Sequence, residues 1–314
     1  MLPSLNSMVS RLRVKHFRLL VAIDDHGSIL KAAEQVALSQ PGATKALQEI
    51  EAALGETLFV RTNRGLEPNE VGHCVIRYAR LIYTDLAHLR EEMNGILNGY
   101  GGRLAVGTIM GAVPLTTEVL SRLLVKQPAL SVQIIEGTSE GLLHMLDDGR
   151  LDAAICRTSI SHRRDAYNAV NVRQEELAVI ANVAHPLAGA NDLELADFSD
   201  CPWIVCAANM PMRRYLEREF DDAGIQFPMN VVETTSAFAV MSVIQRNRST
   251  IALLSTDAAE FFAAFGMITI LPITLKTRSE PYYLVTHRDR TLPPSAQLFI
   301  EEFAAIDPAG FAPA

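Results

Sequence analysis

Three short clusters, Thr108–Ala112, Thr138-Ser139 and Thr234-Thr235-Ser236, together with Arg157, carry the residue types that hold a small anion. Hydroxyls and backbone N–H groups satisfy an anion's oxygens, and a guanidinium adds a fixed positive charge. Thr108, Met110, Gly111, Thr138, Ser139, Arg157, Thr234, Thr235 and Ser236 are therefore the candidate effector contacts. Each hydroxyl also has a plainer reading as a helix cap, and Arg157 one as a surface ion-pair partner. A second set, Gln40, Thr44 and Lys45, has the donors and acceptors that meet base edges or phosphates.

Residues arranged for catalysis are missing. No GxSxG elbow, Walker loop, HExxH pair or strand-following GxGxxG occurs, so no enzymatic activity is expected. His144, beside Leu143 and Leu146, reads as packing on an apolar helix face, and His185 before Pro186 as part of a turn. Asp147-Asp148 before Gly149 reads as a helix end. Cys74, Cys156, Cys201 and Cys206 lack zinc-site spacing; they read as free, mostly buried thiols, and neither metal nor cofactor is expected. Cys201 and Cys206 alone are close in sequence, which leaves a redox switch as an alternative, although Pro202 to Val205 look like a strand entering a core.

The chain that must position these groups has 314 residues, 49% of them hydrophobic and 20% charged, which is the composition of two or three globular units. Its apolar runs are far shorter than a membrane span. The opening MLPSLNSMVSRLRVKHF has neither an apolar run nor a small-residue cleavage site, so a cytoplasmic location is expected. The net charge is −8, yet residues 1–97 contain as many basic as acidic side chains, and the excess acid lies in 98–314. In the neutral segment, basic residues cluster at Arg11, Arg13, Lys15 and Arg18, at Lys31 and Lys45, and at Arg61 and Arg64.

Helical spacing of Phe17, Leu20 and Val21 predicts a first helix over 14–25, broken by Gly27. Ser28 is placed to cap a second helix over 29–36, in which small Ala32 and Ala33 allow close packing. After a turn at Ala37 and Leu38, Ser39 can cap a third helix that tolerates Pro41 in its first turn, runs through Leu47 and Ile50, and stops at Gly55. A strand at Leu58–Val60, a turn at Asn63–Gly65 and a return at Leu66 make a hairpin carrying Arg61 and Arg64. Two helices so closely joined, the second opening with Gln40, Thr44 and Lys45, form a helix-turn-helix with a wing; a plain three-helix bundle shares this spacing.

The stretch GSILKAAEQVALSQPGATKALQEIEAALGETLFVRTNRGLEPNEVG, residues 27–72, resembles the N-terminal domain of LysR-type transcriptional regulators. The matching features are the SQP opening of the recognition helix, Ile50-Glu51 before Leu54-Gly55, LF-x-R at Leu58–Arg61, and Glu70-x-Gly72. The resemblance implies that Ser39, Gln40, Pro41, Thr44 and Lys45 contact DNA, with Arg61 and Arg64 on the wing. Gly42 departs from the family's usual alanine, at a helix cost of roughly 0.5–1 kcal/mol.

No proline interrupts residues 70–97, where Val75, Ile82, Leu89 and Ile96 recur every seven residues beside Tyr78, Leu86 and Met93. This predicts a helix about 42 Å long, and an apolar stripe of that length calls for a partner helix from a second subunit. Asp85 and Glu92 make the seam imperfect. The resemblance implies antiparallel pairing of this helix and a homotetramer. Asn98 to Gly102 reads as a hinge.

Strands at 103–109, 132–135 and 151–156 alternate with helices at 114–126 and 142–146. A second set follows: strands at 177–181, 203–207, 231–233 and 251–254, with helices at 212–223 and 237–246. A strand at 282–286 and a helix at 296–305 close the chain. The alternation predicts two parallel-sheet lobes, with a ligand beyond the strand ends. EGTSEGLL, GRLDAAI and HPLA resemble LysR-type effector domains, whose fold is similar to type 2 periplasmic binding proteins. GAVP, PWIV and VVETTS resemble a subgroup that includes regulators of sugar uptake and aromatic-acid breakdown.

The expected fold class is α plus α/β: a winged helix-turn-helix at 1–69, a linker helix at 70–98 and an effector domain at 99–314. Lobe I takes about 102–172 plus 275–314, and lobe II about 173–274. The expected function is a DNA-binding regulator that senses a small molecule, a carboxylate or sugar-derived anion, in its C-terminal domain. Double-stranded promoter DNA, the effector and a second copy of the chain are the expected partners, and RNA polymerase is a further candidate. A solute-binding protein on the same two-lobed fold is the alternative from another class.

Overall fold

The computed structural model describes residues 2–63, 65–98, 102–208, 210–277 and 279–306. Its contacts divide the chain into two units, residues 1–103 with 144–151, and residues 104–143 with 152–314.

The first unit opens with α1 (Leu5–Arg11), which buries none of its residues, and α2 (Val14–His26). Helix α2 buries His16, Leu19, Leu20, Ala22 and Ile23, so its core stripe is rotated from the expected one; Phe17 and Val21 are only half-buried. Gly27 ends α2 with φ +58°, a conformation that costs glycine little, and its carbonyl accepts the Leu66 N–H at 2.8 Å. Then come α3 (Ile29–Gln35), with Ser28 at the cap position but no cap hydrogen bond from its side chain, and α4 (Gln40–Leu54). The hairpin β1 (Phe59–Thr62) and β2 (Gly65–Pro68) pairs antiparallel. The 29-residue α5 (Glu70–Asn98) follows. Leu20, Ile23, Ala32, Ala43, Ile50, Leu58, Ile76 and Ala79 form one buried cluster that fastens these helices and the hairpin together. Helix α5 leaves Tyr78, Ile82, Leu86, Leu89 and Met93 exposed. The side chains of Glu92 and Ile96, and hinge residues Gly99, Tyr100 and Gly101, lie outside the described residues.

The remaining elements run β3 (Arg103–Thr108), α6 (Val113–Lys126), β4 (Ser131–Glu136), α7 (Ser139–Asp147), β5 (Ala153–Cys156), β6 (Tyr167–Arg173), β7 (Leu177–Ala181), β8 (Trp203–Val205), α8 (Pro211–Asp222), β9 (Val231–Glu233), α9 (Ala237–Arg246), β10 (Ile251–Ser255), α10 (Thr256–Ala264), β11 (Thr269–Ile270), β12 (Tyr282–His287) and α11 (Pro294–Ile306). They build two five-stranded sheets, ordered β4-β3-β5-β12-β6 and β11-β7-β10-β8-β9. Neither sheet is wholly parallel, contrary to expectation. Strand β12 lies antiparallel to both β5 and β6, and β7 antiparallel to both β10 and β11, while β3–β5, β8–β9 and β8–β10 are parallel. The chain crosses between sheets after β6 and again before β12, and a strand entering from the other sheet runs against its neighbours. The core of the second sheet includes Trp203, Phe198 and Phe220, whose rings meet edge to face at 6.0 and 5.6 Å.

No helix among the described residues is long and apolar enough to cross a membrane.

Candidate DNA-reading surface and effector site

Helix α4 begins where its side chains dictate. Ser39, in extended backbone, accepts the Gly42 N–H at 3.2 Å, and Pro41 occupies the first turn, where its missing N–H breaks no bond. A Cβ on Gly42 would stand 3.1 Å from Ser39 Oγ, so the departure from alanine leaves room for the cap. The start of α4 faces solvent: Ser39, Gln40, Pro41 and Lys45 are exposed and Thr44 half-buried. The Thr44 hydroxyl donates to the Gln40 carbonyl at 3.0 Å, which occupies its hydrogen and leaves the oxygen as an acceptor. On the reverse face Ala43, Leu47 and Ile50 are buried. Ala37, in the turn before Ser39, holds φ +56°, an unusual backbone for alanine.

The wing presents Arg61 on an exposed position of β1; Arg64 lies outside the described residues. Arg11, Arg13, Lys15, Arg18 and Lys31 are exposed as well. Arg18 donates to the Gln35 carbonyl at 3.2 Å, closing the end of α3. Arg80 on α5 grips Asp24 and Asp25 of α2 at 2.7 and 2.6 Å.

The candidate effector residues divide in two. Thr108 is fully buried, its hydroxyl shared with Thr116 Oγ1 at 2.9 Å, so it is fold-holding and offers a ligand nothing. Met110 is packed against both apolar clusters flanking the second sheet. Gly111 is buried; a Cβ there would overlap Glu175 Oε1 and stand 3.0 Å from Ser255 Oγ. Thr138 accepts the Gly141 N–H at 3.2 Å, and Ser236 the Ala239 N–H at 3.3 Å, the capping roles that such residues also suggest. Thr234 accepts the Ser236 N–H at 3.1 Å, and Thr235 is exposed. Ser139 accepts the Arg157 backbone N–H at 3.1 Å, which brings α7 and the end of β5 together.

Arg157 is not a surface ion-pair partner. It is 7% exposed; its Nη2 donates to the Glu175 carboxylate and, at 3.3 Å, to Ser279 Oγ. Ser279 Oγ in turn donates to Glu175 Oε2 at 2.8 Å. Burial holds the Glu175 carboxyl above its ordinary value, against the smaller opposing pull of the Arg157 charge and the Ser279 hydroxyl. The Arg157 Nε is buried with no hydrogen-bond partner among the described residues. Glu175, Ser255 and Ser279 were not among the residues singled out from sequence. They lie far from Arg157 along the chain, and no spacing rule joins them.

His185 is buried and structural: Nδ1 accepts the Leu187 N–H at 3.1 Å and Nε2 lies 3.3 Å from the Ser249 carbonyl. His144, expected to pack, is exposed instead, because the apolar face of α7 is Leu142, Leu143 and Leu146. Extended β8 separates Cys201 from Cys206, so their α-carbons stand on the order of 10 Å or more apart, beyond the ~7 Å that a disulfide bridges. Burial raises the thiols of Cys201, Cys206 and Cys156, that of Cys206 to about 11 and that of Cys156 to about 12. Among the described residues no three His, Cys, Asp or Glu side chains are grouped to hold a metal ion.

A winged helix-turn-helix, a long helix with an uncovered apolar stripe and two five-stranded α/β sheets make up the architecture of a DNA-binding transcriptional regulator with a C-terminal effector-binding domain. The chain belongs to the LysR family: residues 14–73 match the model described as "Bacterial regulatory helix-turn-helix protein, lysR family", and residues 98–306 match "LysR substrate binding domain". It is 33% identical over 290 residues to the HTH-type transcriptional regulator GbpR of Azospirillum brasilense, covering 92% of this chain and 84% of that protein. Identity to the HTH-type transcriptional regulator PcaQ of Agrobacterium fabrum is 23%, covering 89% and 90%. Among solved structures, the LysR family regulator CbnR shares the fold, with TM-score 0.65 at 19% identity over 94% of this chain and 99% of that one.

Proposed function

We propose that this regulator works in the cytoplasm as a homo-oligomer, dimeric through α5 and tetrameric in full, whose heads read promoter DNA and whose C-terminal domain answers a small molecule. The observation that carries the DNA-binding part is the capped, solvent-facing start of α4, with Gln40, Thr44 and Lys45 outward and Arg61 on the adjoining wing. The exposed apolar side chains of α5 support pairing with a second copy. CbnR, of the same fold, has been solved complexed with its target DNA, and the effector-binding domain of QuiR in complex with shikimate. The domain limits we favour are 1–69, 70–98 and 99–314, with lobe I at about 102–172 plus 275–314 and lobe II at about 173–274.

We place the effector at the strand ends near Arg157, with Ser139, Thr138, Gly111 and Met110 on one side and Thr234, Thr235 and Ser236 as contacts from the other sheet. Its binding shifts a pre-existing equilibrium of subunit packing and so moves the heads along the promoter. RNA polymerase is the partner through which that movement reaches transcription. A gel shift on DNA upstream of the chain's own coding region tests the reading. Specific retention is expected; Lys45→Ala weakens it and lowers the salt slope by about 1, and Thr44→Ala alters base preference. Retention by neither the parent nor any salt condition overturns it.

A further inference from the structure

Resting on the reading that the C-terminal domain binds a small molecule near Arg157, we infer that this molecule is an uncharged, hydroxyl-bearing compound such as a neutral sugar or polyol, and not a carboxylate. The charge that would attract an anion is already spent inside the protein. Arg157 and Glu175 are both buried, 7% and 4% exposed, and their opposite charges meet directly, with Ser279 hydrogen-bonded to each. An entering carboxylate would add a negative charge to a buried cluster that is neutral as it stands, beside Glu175, and the lost hydration would go unmatched. Glu175 has little freedom to step aside, since its Oε1 sits against the bare Cα of Gly111, next to Ser255.

What the cluster does offer is polar and neutral. The Arg157 Nε–H is buried without an acceptor among the described residues, and a buried donor left open is costly enough that an incoming oxygen is favoured there. A hydroxyl or ring oxygen supplies that acceptor without bringing charge. Beside it, Ser139 accepts the Arg157 backbone N–H and keeps its hydroxyl hydrogen for a ligand oxygen, while Ser255 and Ser279 are buried and already bonded within the protein. Half-buried Ser139 and exposed Thr138 form the outer edge.

The test is thermal unfolding of the full-length protein with matched probes: neutral aldoses, and the aldonic acids that differ from them by one carboxylate. Wild type is expected to be stabilised by at least one neutral aldose and by none of the acids. Glu175→Gln, which leaves the Arg157 charge unmatched, is expected to reverse the order, with an acid gaining at least tenfold over its neutral partner. The wild-type comparison does not depend on the variant folding. Stabilisation of wild type by acids alone overturns the inference and leaves the effector reading standing. If neither class shifts either protein, both fall together.

Discussion

The α-carbon of Gly72 lies against the carbonyl oxygen of Leu58, with no space for a methyl group between them. The Asn69 N–H bonds to that same carbonyl at 2.9 Å, while Asn69 Oδ1 accepts the Gly72 N–H at 2.8 Å. The first turn of α5 is thereby docked on the residue that leads into β1 of the wing. Gly72→Ala is expected to destabilise the DNA-binding unit by about 1–3 kcal/mol, the range of a core made too full. Urea unfolding of the purified variant checks this; a midpoint equal to the parent's would show that the turn can shift freely.

Ala37 is expected to be a place where stability can be gained. A left-handed alanine costs roughly 1–2 kcal/mol, and glycine removes that while adding about 0.4–1 kcal/mol of unfolded-state freedom. Ala37→Gly should therefore stabilise by roughly 0.5 kcal/mol, with the affinity for DNA kept because Ser39 and the α4 cap are untouched. A loss of stability would mean the turn relaxes in solution.

His16 makes the DNA-binding unit sensitive to acid. Burial, then the nearby Lys15 charge, lowers its pKa from the ordinary 6.5, and Nδ1 accepts the Arg13 N–H at 3.3 Å, an acceptor role that protonation there ends. Because the folded value is depressed, the stability it lends is present above pH 6.5 and is lost as the pH falls through the folded value. The melting temperature should drop between pH 7.5 and 5.5. His16→Gln, which keeps an acceptor at the third position of α2 and cannot titrate, should flatten that drop. An unchanged slope in the variant would assign the effect to other groups.

The Cys201 and Cys206 pair should not act as a redox switch, although Cys74 on α5, contrary to the expectation of mostly buried thiols, is exposed. With the Cys206 thiol pushed up to about 11, roughly one molecule in ten thousand is thiolate at neutral pH, and thiolate is the reactive form. Mild peroxide is expected to leave DNA binding unchanged, measured by gel shift before and after treatment. Loss of binding that Cys201→Ser and Cys206→Ser together prevent would restore the redox reading.

Local signals were the readable ones. Ser39 and Gly55 bracket α4 because a cap and a left-handed stop act within a few residues, and β9 and α9 ended where their patterns ended. Helix α1 left no trace, since none of its residues is buried and no apolar stripe results. Strand β6 buries little beyond Tyr167 and Val172, and α10 starts directly after β10, so neither shows a clear period. Strand direction in the two sheets depends on crossovers, which periodicity does not record. The same is true of the effector site. The arginine could be picked out by its place after a strand, but its glutamate could not, because folding alone joins positions 157 and 175.

The chain has one tryptophan, and the fold places it in the interior of the second sheet, 1% exposed and edge-on to two phenylalanines. Its emission therefore reports from a single address. Unfolding or rearrangement of that sheet can be followed in the unlabelled protein while the DNA-binding end, with no indole of its own, stays dark.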